Sequence, residues 1–220
     1  MTSPCSLIWI TPNAEEQIVY CARVSNPQGQ SSGDSPDRLI RYLLKHKHWS
    51  PFEMASMCVE INTTRDISAQ ILRHRSFSFQ EFSQRYAEVD SLGPTVVPEL
   101  RLQDKKNRQS SLQPPVSMVP IIEGFEIEIL DLQEKCREVY GKMVDAGIAK
   151  ECARKVLPIG SPSRLYMSGT IRSWIHYLQV RLGPETQKEH REVAESVLDI
   201  LKLHCPIIIE SSCLTKSISQ

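Results

Sequence analysis

Residues 73–86, RHRSFSFQEFSQRY, concentrate cationic, aromatic and hydrogen-bonding side chains in one short segment. Guanidinium groups form paired, charge-assisted hydrogen bonds with phosphate or carboxylate oxygens and keep their charge at working pH. A continuous helix could not turn all the charged side chains to solvent and all the phenylalanines inward. The segment is therefore expected to leave the helix and form an ordered loop. Such loops usually bind ligands, so the segment predicts an anion site. Its members include Arg73, His74, Arg75, Glu81 and Arg85, with Phe77, Phe79 and Phe82.

The spacing in this segment, Arg-His-Arg followed by seven residues and Ser83, resembles the defining motif of the flavin-dependent thymidylate synthases. The match extends to Gln70 before the motif and to Arg85-Tyr86 after it. Four further segments resemble parts of the family that line the flavin or nucleotide site, and they occur in the family's order. They are CARVSNP at 21–27, HKHWSPFE at 46–53, ECARKVLP at 151–158 and SGTIRSWIHYLQVR at 168–181.

The resemblance implies an enzyme that converts dUMP to dTMP by reductive methylation. In this family methylenetetrahydrofolate supplies the carbon, and FAD reduced by NADPH supplies the hydride. The cofactors carry the difficult bond changes, which leaves the protein to align the reactants and to stabilise negative charge. The family also implies a homotetramer in which each active site is built from several subunits.

The resemblance also assigns residues to the two ligands. Arg181 is the expected catalytic residue, because a guanidinium beside the uracil N3 and carbonyl would favour the electron-rich ring that attacks carbon. Its alternative role is to satisfy carbonyl groups at a helix end. The residues expected to contact FAD are Ser50, Arg73, His74, Arg75, Glu81, Thr170, Arg172 and His176. Those expected to contact dUMP are Gln70, Arg73, Glu81, Ser83, Gln84, Arg85, Arg154 and Arg181.

Three of these positions depart from the usual family pattern. Thr170 and His176 stand where many members carry asparagine, and Gln84 stands where glycine is frequent. All three side chains can still form hydrogen bonds, and backbone groups can serve in their place. The departures therefore affect individual contacts rather than the site.

Other residues that could do chemistry are assigned simpler roles. Ser83 has no histidine and acid near it in an activating arrangement, so it is expected to bind substrate rather than act as a nucleophile. His46 and His48 form a pair without a third ligand, and no metal site is expected. Cys5 is expected to lie in a disordered N-terminal stretch that cannot activate a thiolate.

Composition narrows the function classes. The chain has 220 residues, with Lys plus Arg and Asp plus Glu both equal to 26, so no overall field would draw it to nucleic acid or a membrane surface. No apolar run reaches the roughly 20 residues that span a bilayer, and MTSPCSLIWI does not resemble a signal peptide. We expect one domain over residues 1–220 in a soluble, cytoplasmic protein. Seven scattered cysteines argue against a disulfide framework or a zinc knot.

Periodicity predicts the elements that position the motif residues. The pattern indicates a helix over 36–47 with Ser35 as its N-cap, and a strand over 54–62 in which Ala55, Met57, Val59 and Ile61 share one face. A helix capped by Thr63 or Thr64 is predicted to run through Arg73. Residues 93–120 read as a long loop or mobile insertion.

The second half of the chain is predicted to be mainly helical. A long helix covers 121–146, where Gly147 stops it, and a short helix ends before Pro158. A strand over 164–169 leads to a helix from Thr170 to about Arg181, and a last helix runs from Gly183-Pro184 to near Pro206. The predicted class is α+β (mixed α/β), with a central antiparallel or mixed sheet flanked by long helices, of the thymidylate-synthase-complementing-protein type. No Gly-x-Gly-x-x-Gly motif is present, so a Rossmann site is not expected and side chains must hold any flavin.

Two other functions remain open on the sequence alone. Arg-His-Arg beside phenylalanines could contact phosphates and stack bases, as in a nucleic-acid-binding module, although the zero net charge counts against it. The chain could also be a flavin- or nucleotide-binding regulator without turnover. A pure flavin binder would not need the dUMP set of residues, which favours the enzyme.

Overall fold

The computed structural model describes residues 4–30, 35–93, 96–212 and 214, and its contacts divide the chain into two compact units. The first unit comprises the described parts of 1–61, 72–80 and 166–220, and the second comprises 62–71 and 81–165. Three strands, Ser56–Thr64, Ser78–Glu81 and Pro162–Thr170, each contribute residues to both units.

The sheet has four strands in the order β1-β2-β6-β3. These strands are β1 (Cys5–Ile10), β2 (Ser56–Thr64), β3 (Ser78–Glu81) and β6 (Pro162–Thr170). β1 pairs antiparallel with β2, with Cys5 opposite Ile61 and Ile10 opposite Met57. The alternation predicted for β2 is confirmed, because Met57, Val59 and Ile61 are fully buried.

Helices of the first unit enclose its apolar core. They are α1 (Ala14–Ala22), α2 (Pro27–Gln30), α3 (Asp37–Lys45), α7 (Ile171–Arg181), α8 (Lys188–His204) and α9 (Pro206–Ser211), with a 3₁₀ turn at Ser50–Glu53. Trp174 and Tyr177 of α7 are fully buried. The Trp174 indole donates a hydrogen bond to the Met57 carbonyl at 3.1 Å, which fixes α7 against β2 within this unit.

The second unit is dominated by one long helix. Its elements are α4 (Arg65–Ile71), the two-residue strands β4 (Leu102–Gln103) and β5 (Ser111–Leu112), α5 (Val119–Asp145) and α6 (Lys150–Ala153). Short 3₁₀ turns occupy Val89–Leu92, Val116–Met118 and Arg154–Val156. α5 ends before Gly147, which has a φ of 83°, as its sequence predicted.

The α+β class is confirmed, and several element bounds are corrected. Residues 93–120 contain the antiparallel β4–β5 pair as well as loop, although 94 and 95 lie outside the described residues. The helix predicted from Gly183-Pro184 begins at Lys188 and is followed by α9. α3 begins at Asp37, and Ser35 accepts only a long 3.4 Å hydrogen bond from its N–H. Strand β1 and helices α1 and α2 were not predicted, and strand β3 lies in a segment that was expected to be loop.

Apolar side chains along α5 are only partly buried in the single chain: Ile129, Cys136, Val139 and Met143 are half-buried, and Phe125 and Leu132 are exposed. Gln133 and Tyr140 are its buried residues, whereas Phe125 is 54% exposed and Leu132 is 62% exposed. Among the described helices, none has an apolar stretch long enough to cross a bilayer.

Candidate active site

The Arg-His-Arg triplet lies in the turns that follow α4. α4 ends at Ile71, so the predicted helix through Arg73 is two residues too long, and the predicted departure from helix is confirmed. Arg73 and Arg75 are exposed, and neither has a carboxylate partner within 4.0 Å among the described residues. Two exposed guanidinium groups without ion pairs are available to an anionic ligand.

The middle residue of the triplet, His74, points the other way and contacts Arg181. The Arg181 Nε donates a hydrogen bond to His74 Nε2 at 2.9 Å. Since Nε2 accepts, the ring must be neutral with its proton on Nδ1. Burial, together with the charge of Arg181 and the nearby His176, lowers the pKa of His74 to about 4.

A cluster of rings holds His74 in place. Its centroid lies 5.0 Å from that of Tyr177, and 6.2 Å from that of His190 of α8, in edge-on arrangements. Phe77 packs edge-on at 6.4 Å. Burial also lowers the pKa of His190, to about 3, so both histidines are neutral at physiological pH. The rings therefore form a buried, uncharged wall beside Arg181.

The first unit contains a cleft of about 650 Å³ that includes two of the residues expected at the flavin. Arg172 and His176 lie one turn apart on α7, and both side chains are exposed in the cleft. Arg172 forms an ion pair with Glu53, which positions its guanidinium. The cleft is lined by Lys47, Trp49, Glu53, Ser76, Arg172, Ser173, Ile175, His176 and Gln179.

Two other residues expected at the flavin serve local structure. The Thr170 hydroxyl caps α7 by accepting a hydrogen bond from the Ser173 N–H at 3.2 Å, which confirms the predicted helix start. Ser50 is exposed and begins the 3₁₀ turn that ends at Glu53. A second cavity, of about 470 Å³, shares Lys47, Trp49 and Gln179 with the cleft.

In the second unit, two buried serines orient Glu81. Ser68 donates to Glu81 Oε1 at 2.5 Å, and Ser163 donates to the same oxygen at 3.0 Å. Both hydrogen bonds converge on one oxygen, so the other oxygen of the carboxylate remains available. This arrangement suits a residue that is expected to contact ligands.

The other residues of this unit that are expected to contact dUMP differ in whether their side chains are available to a ligand. Gln84 is buried, and its Oε1 accepts a hydrogen bond from Arg65 at 2.9 Å, so its side-chain oxygen is already used. Arg85 is exposed and forms an ion pair with Glu151 at 3.1 Å. Arg154 is half-buried without an ion-pair partner among the described residues. Gln70 and Ser83 are also half-buried.

The predicted residues divide between the two units. All of the flavin set except Glu81 belongs to the first unit. The dUMP set belongs to the second unit except for Arg73 and Arg181.

Comparison with known proteins decides the family. Residues 6–207 match the family described as thymidylate synthase complementing protein. The chain belongs to this family. A probable flavin-dependent thymidylate synthase of Paramecium bursaria Chlorella virus 1 is 47% identical over 90% of this chain and 90% of its own. The flavin-dependent thymidylate synthase of a Synechocystis species is 45% identical over 88% of this chain and 87% of its own.

A solved structure agrees with the family assignment. A UMP/dUMP methylase from Streptomyces cacaoi, bound with 5-Br dUMP, superposes with a TM-score of 0.81 at 28% identity, and covers 94% of this chain and 93% of its own. The predicted family and non-Rossmann fold of this chain are thereby confirmed, and the names of its relatives support a flavin cofactor.

Sequence reasoning missed several residues that support the site of this family member. Glu53 lies in the matched segment HKHWSPFE, yet its pairing with Arg172 depends on folding. Ser68, Ser163 and His190 carried no motif signal. His46 and His48 pack around Tyr42, and no cluster of three metal-ligating residues occurs in the described part of the chain.

The expectation for Cys5 is wrong. Cys5 is buried in β1, where its N–H donates to the Ser196 hydroxyl at 3.2 Å, rather than lying in a disordered stretch. Burial raises the pKa of its thiol to about 12. Cys5 is thus a core thiol. The prediction that it is not an activated thiolate therefore stands, but the reason is burial rather than disorder.

Proposed function

We propose that this chain converts dUMP to dTMP by reductive methylation, with methylenetetrahydrofolate as carbon donor and NADPH as reductant of bound FAD. The observation that carries the proposal is that three arginines have no ion-pair partner in the described part of the chain. Arg73, Arg75 and Arg181 have no carboxylate within 4.0 Å among the described residues. Their positive charges remain available to phosphate groups and to an electron-rich uracil ring.

The first unit offers residues that suit a flavin nucleotide. Arg73 and Arg75 would hold its diphosphate, and Ser50, His74, Thr170, Arg172 and His176 would contact the rest. The cleft beside Arg172 is also lined by Trp49, whose aromatic ring is suited to a planar ligand ring. A bound flavin would supply the hydride that completes the methyl group, while these side chains bind and orient it.

The second unit supplies most of the proposed nucleotide contacts, from Gln70, Glu81, Ser83, Arg85 and Arg154. Gln84 would contribute through its backbone, since its side-chain oxygen already accepts from Arg65. Arg181 would stabilise negative charge on the uracil ring. Its guanidinium keeps that capacity because its hydrogen-bond partner, His74, is neutral.

We also propose a homotetramer in which the chain acts as a single catalytic domain. An exposed apolar face on α5, including Phe125 and Leu132, would be buried against another copy. The four-stranded sheet draws residues from both units, because β2, β3 and β6 each contain residues of both, and this supports a single domain. Light scattering of the active enzyme would test this, and an active monomer would contradict it.

The test of function is an anaerobic assay of purified protein with FAD, in which flavin absorbance and NADPH oxidation are followed with and without dUMP. A flavin that becomes reduced and responds to dUMP supports one site for both ligands. Formation of dTMP on adding methylenetetrahydrofolate then separates the enzyme from a regulator without turnover. Failure to bind flavin, with salt-dependent binding of a generic oligonucleotide, would favour the nucleic-acid-binding module.

Arg181→Ala provides the matched variant for this assay. We expect it to reduce dTMP formation by at least about 100-fold, as for removal of other groups that stabilise transition-state charge. Flavin content should be retained, since Arg181 belongs to the nucleotide set. Normal turnover by Arg181→Ala would exclude the catalytic role.

A further inference from the structure

The hydrogen bond between His74 and Arg181 joins a residue expected at the flavin to one expected at the nucleotide. We propose that His74 is a positioning residue for Arg181, and that it aims the Arg181 guanidinium at the uracil ring. The proposal rests on the proposed function, and it assigns His74 a role beyond contact with the flavin. It concerns atoms that lie within the first unit.

Arg181 needs a partner that orients it without cancelling its charge. It is the last residue of α7, and a long arginine side chain at a helix end has many rotamers. A carboxylate would fix the side chain but would also neutralise it locally. His74 accepts from Nε only, which leaves both terminal nitrogens of the guanidinium able to donate to a ligand.

The position of His74 within the triplet fits this role. Its neighbours Arg73 and Arg75 are exposed, whereas His74 turns inward to α7. Arginine has no acceptor atom, so a third arginine at this position could not accept the hydrogen bond from Arg181. The histidine in Arg-His-Arg is therefore explained by its acceptor nitrogen.

The surroundings of His74 keep that nitrogen in place. Tyr177 of α7 packs edge-on against its ring, and His190 of α8 packs edge-on from another element. Both residues are completely buried. Since the cluster contains no carboxylate contact with His74 among the described residues, nothing favours the protonated ring, which could not accept from Arg181.

Two substitutions of His74 distinguish the role of its Nε2 from that of its Nδ1. His74→Gln places a side-chain oxygen near the position of Nε2, whereas His74→Asn reaches only the position of Nδ1. We expect His74→Asn to weaken dUMP binding at least about 10-fold by isothermal titration calorimetry, the effect of losing one hydrogen bond to a charged group. His74→Gln should restore most of the affinity. Flavin content, measured by absorbance, reports the separate cofactor role in the same samples.

A double-mutant cycle tests whether His74 acts through Arg181. In an Arg181→Ala background, His74→Asn should cause no further loss of dUMP affinity, because the group being positioned is gone. Additive losses would overturn the proposal, as would equal affinities of His74→Asn and wild type. If wild type itself binds no dUMP, the proposed function fails instead.

A measurement on the unmodified protein covers the case in which the His74 variants do not fold. Nitrogen-15 NMR of histidine-labelled holoenzyme should show one buried ring with Nδ1 protonated and Nε2 unprotonated, and Arg181→Lys should shift its Nε2 signal. Absence of a ring with this tautomer would overturn the proposal.

Discussion

The Phe77 ring lies directly against the backbone of Gly169. A Cβ placed on Gly169 would be 2.5 Å from Phe77 Cδ1 and 2.7 Å from its Cε1. Phe77 also packs edge-on against Trp174 with centroids 4.7 Å apart. The glycine in β6 therefore admits the aromatic residue that ties the loop after Arg-His-Arg to the core of the first unit.

We predict that Gly169→Ala displaces Phe77 and destabilises the fold. The added methyl group overlaps the ring, which is itself confined by Trp174, and overpacking of this kind typically costs about 1 to 3 kcal/mol. Urea denaturation should show a lower midpoint. Flavin affinity should also fall, because Phe77 lies two residues beyond Arg75.

Gly160→Ala is the matched control, because no atom would lie within 4 Å of a Cβ at Gly160. Its free energy of unfolding should remain close to that of wild type. Equal effects of the two alanine substitutions would show that Phe77 does not need the space at Gly169.

The contrast between local and long-range features explains how much the sequence could predict. α7 was predicted with its start because Thr170 is a side-chain cap, and β2 because alternate residues face the core. These signals lie within a few residues. The β4–β5 pair was missed because two-residue strands have no periodicity to detect.

Contacts within the site behave differently. The hydrogen bond between Arg181 and His74 joins residues 107 positions apart, and no local pattern encodes it. The resemblance identified both residues as ligand contacts without indicating that they touch each other. Cys5 was misjudged for a related reason, since its burial depends on distant Val193 and Ser196 of α8.

Stability should fall as the pH is lowered from about 7 to about 5, partly because of His74. Its pKa is about 4 in the folded protein, against 6.5 for an unperturbed histidine. Between pH 6.5 and pH 4 the unfolded state therefore binds more protons than the folded state. The contribution of the neutral His74 ring to the free energy of unfolding is complete above pH 6.5 and is lost as the pH falls towards 4. We expect a loss on the order of 1 kcal/mol from this ring, measured by urea denaturation at pH 7 and pH 5.

His74→Gln isolates this contribution, because glutamine does not titrate. The pH dependence of its unfolding free energy should be smaller than that of wild type by the His74 share. His190, whose pKa burial lowers to about 3, would still contribute in the variant with the same sign. An unchanged pH dependence would mean that His74 titrates normally in the folded protein.

Cysteine reactivity should distinguish buried from exposed thiols. Cys5 is buried and burial raises its pKa to about 12, whereas Cys152 is exposed. A thiolate is the reactive form, so brief treatment with iodoacetamide at pH 8 should modify Cys152 before Cys5, as read by peptide mass spectrometry. Cys5→Ala should also retain turnover, and loss of chemistry with intact folding would revive a nucleophilic role for this thiol.

The serines beside Glu81 should affect activity through that carboxylate. Ser163→Ala removes one of the two hydrogen bonds to Oε1, and we expect kcat/KM to fall about 3- to 10-fold, as for loss of about 1 kcal/mol. The double variant Ser163→Ala/Glu81→Gln should have the same kcat/KM as Glu81→Gln alone. Additive losses would indicate that Ser163 acts independently of Glu81.

Ser83 should contribute to dUMP binding rather than to bond formation. It is half-buried, its hydroxyl accepts only a long 3.4 Å contact from the Arg85 N–H, and no histidine contacts it among the described residues. An unactivated hydroxyl is a poor nucleophile. Ser83→Ala should therefore raise KM for dUMP about 5- to 10-fold, the cost of one hydrogen bond, and should keep measurable kcat. Steady-state assays over a range of dUMP concentrations separate the two constants, and abolished chemistry with normal dUMP binding would assign Ser83 a covalent role.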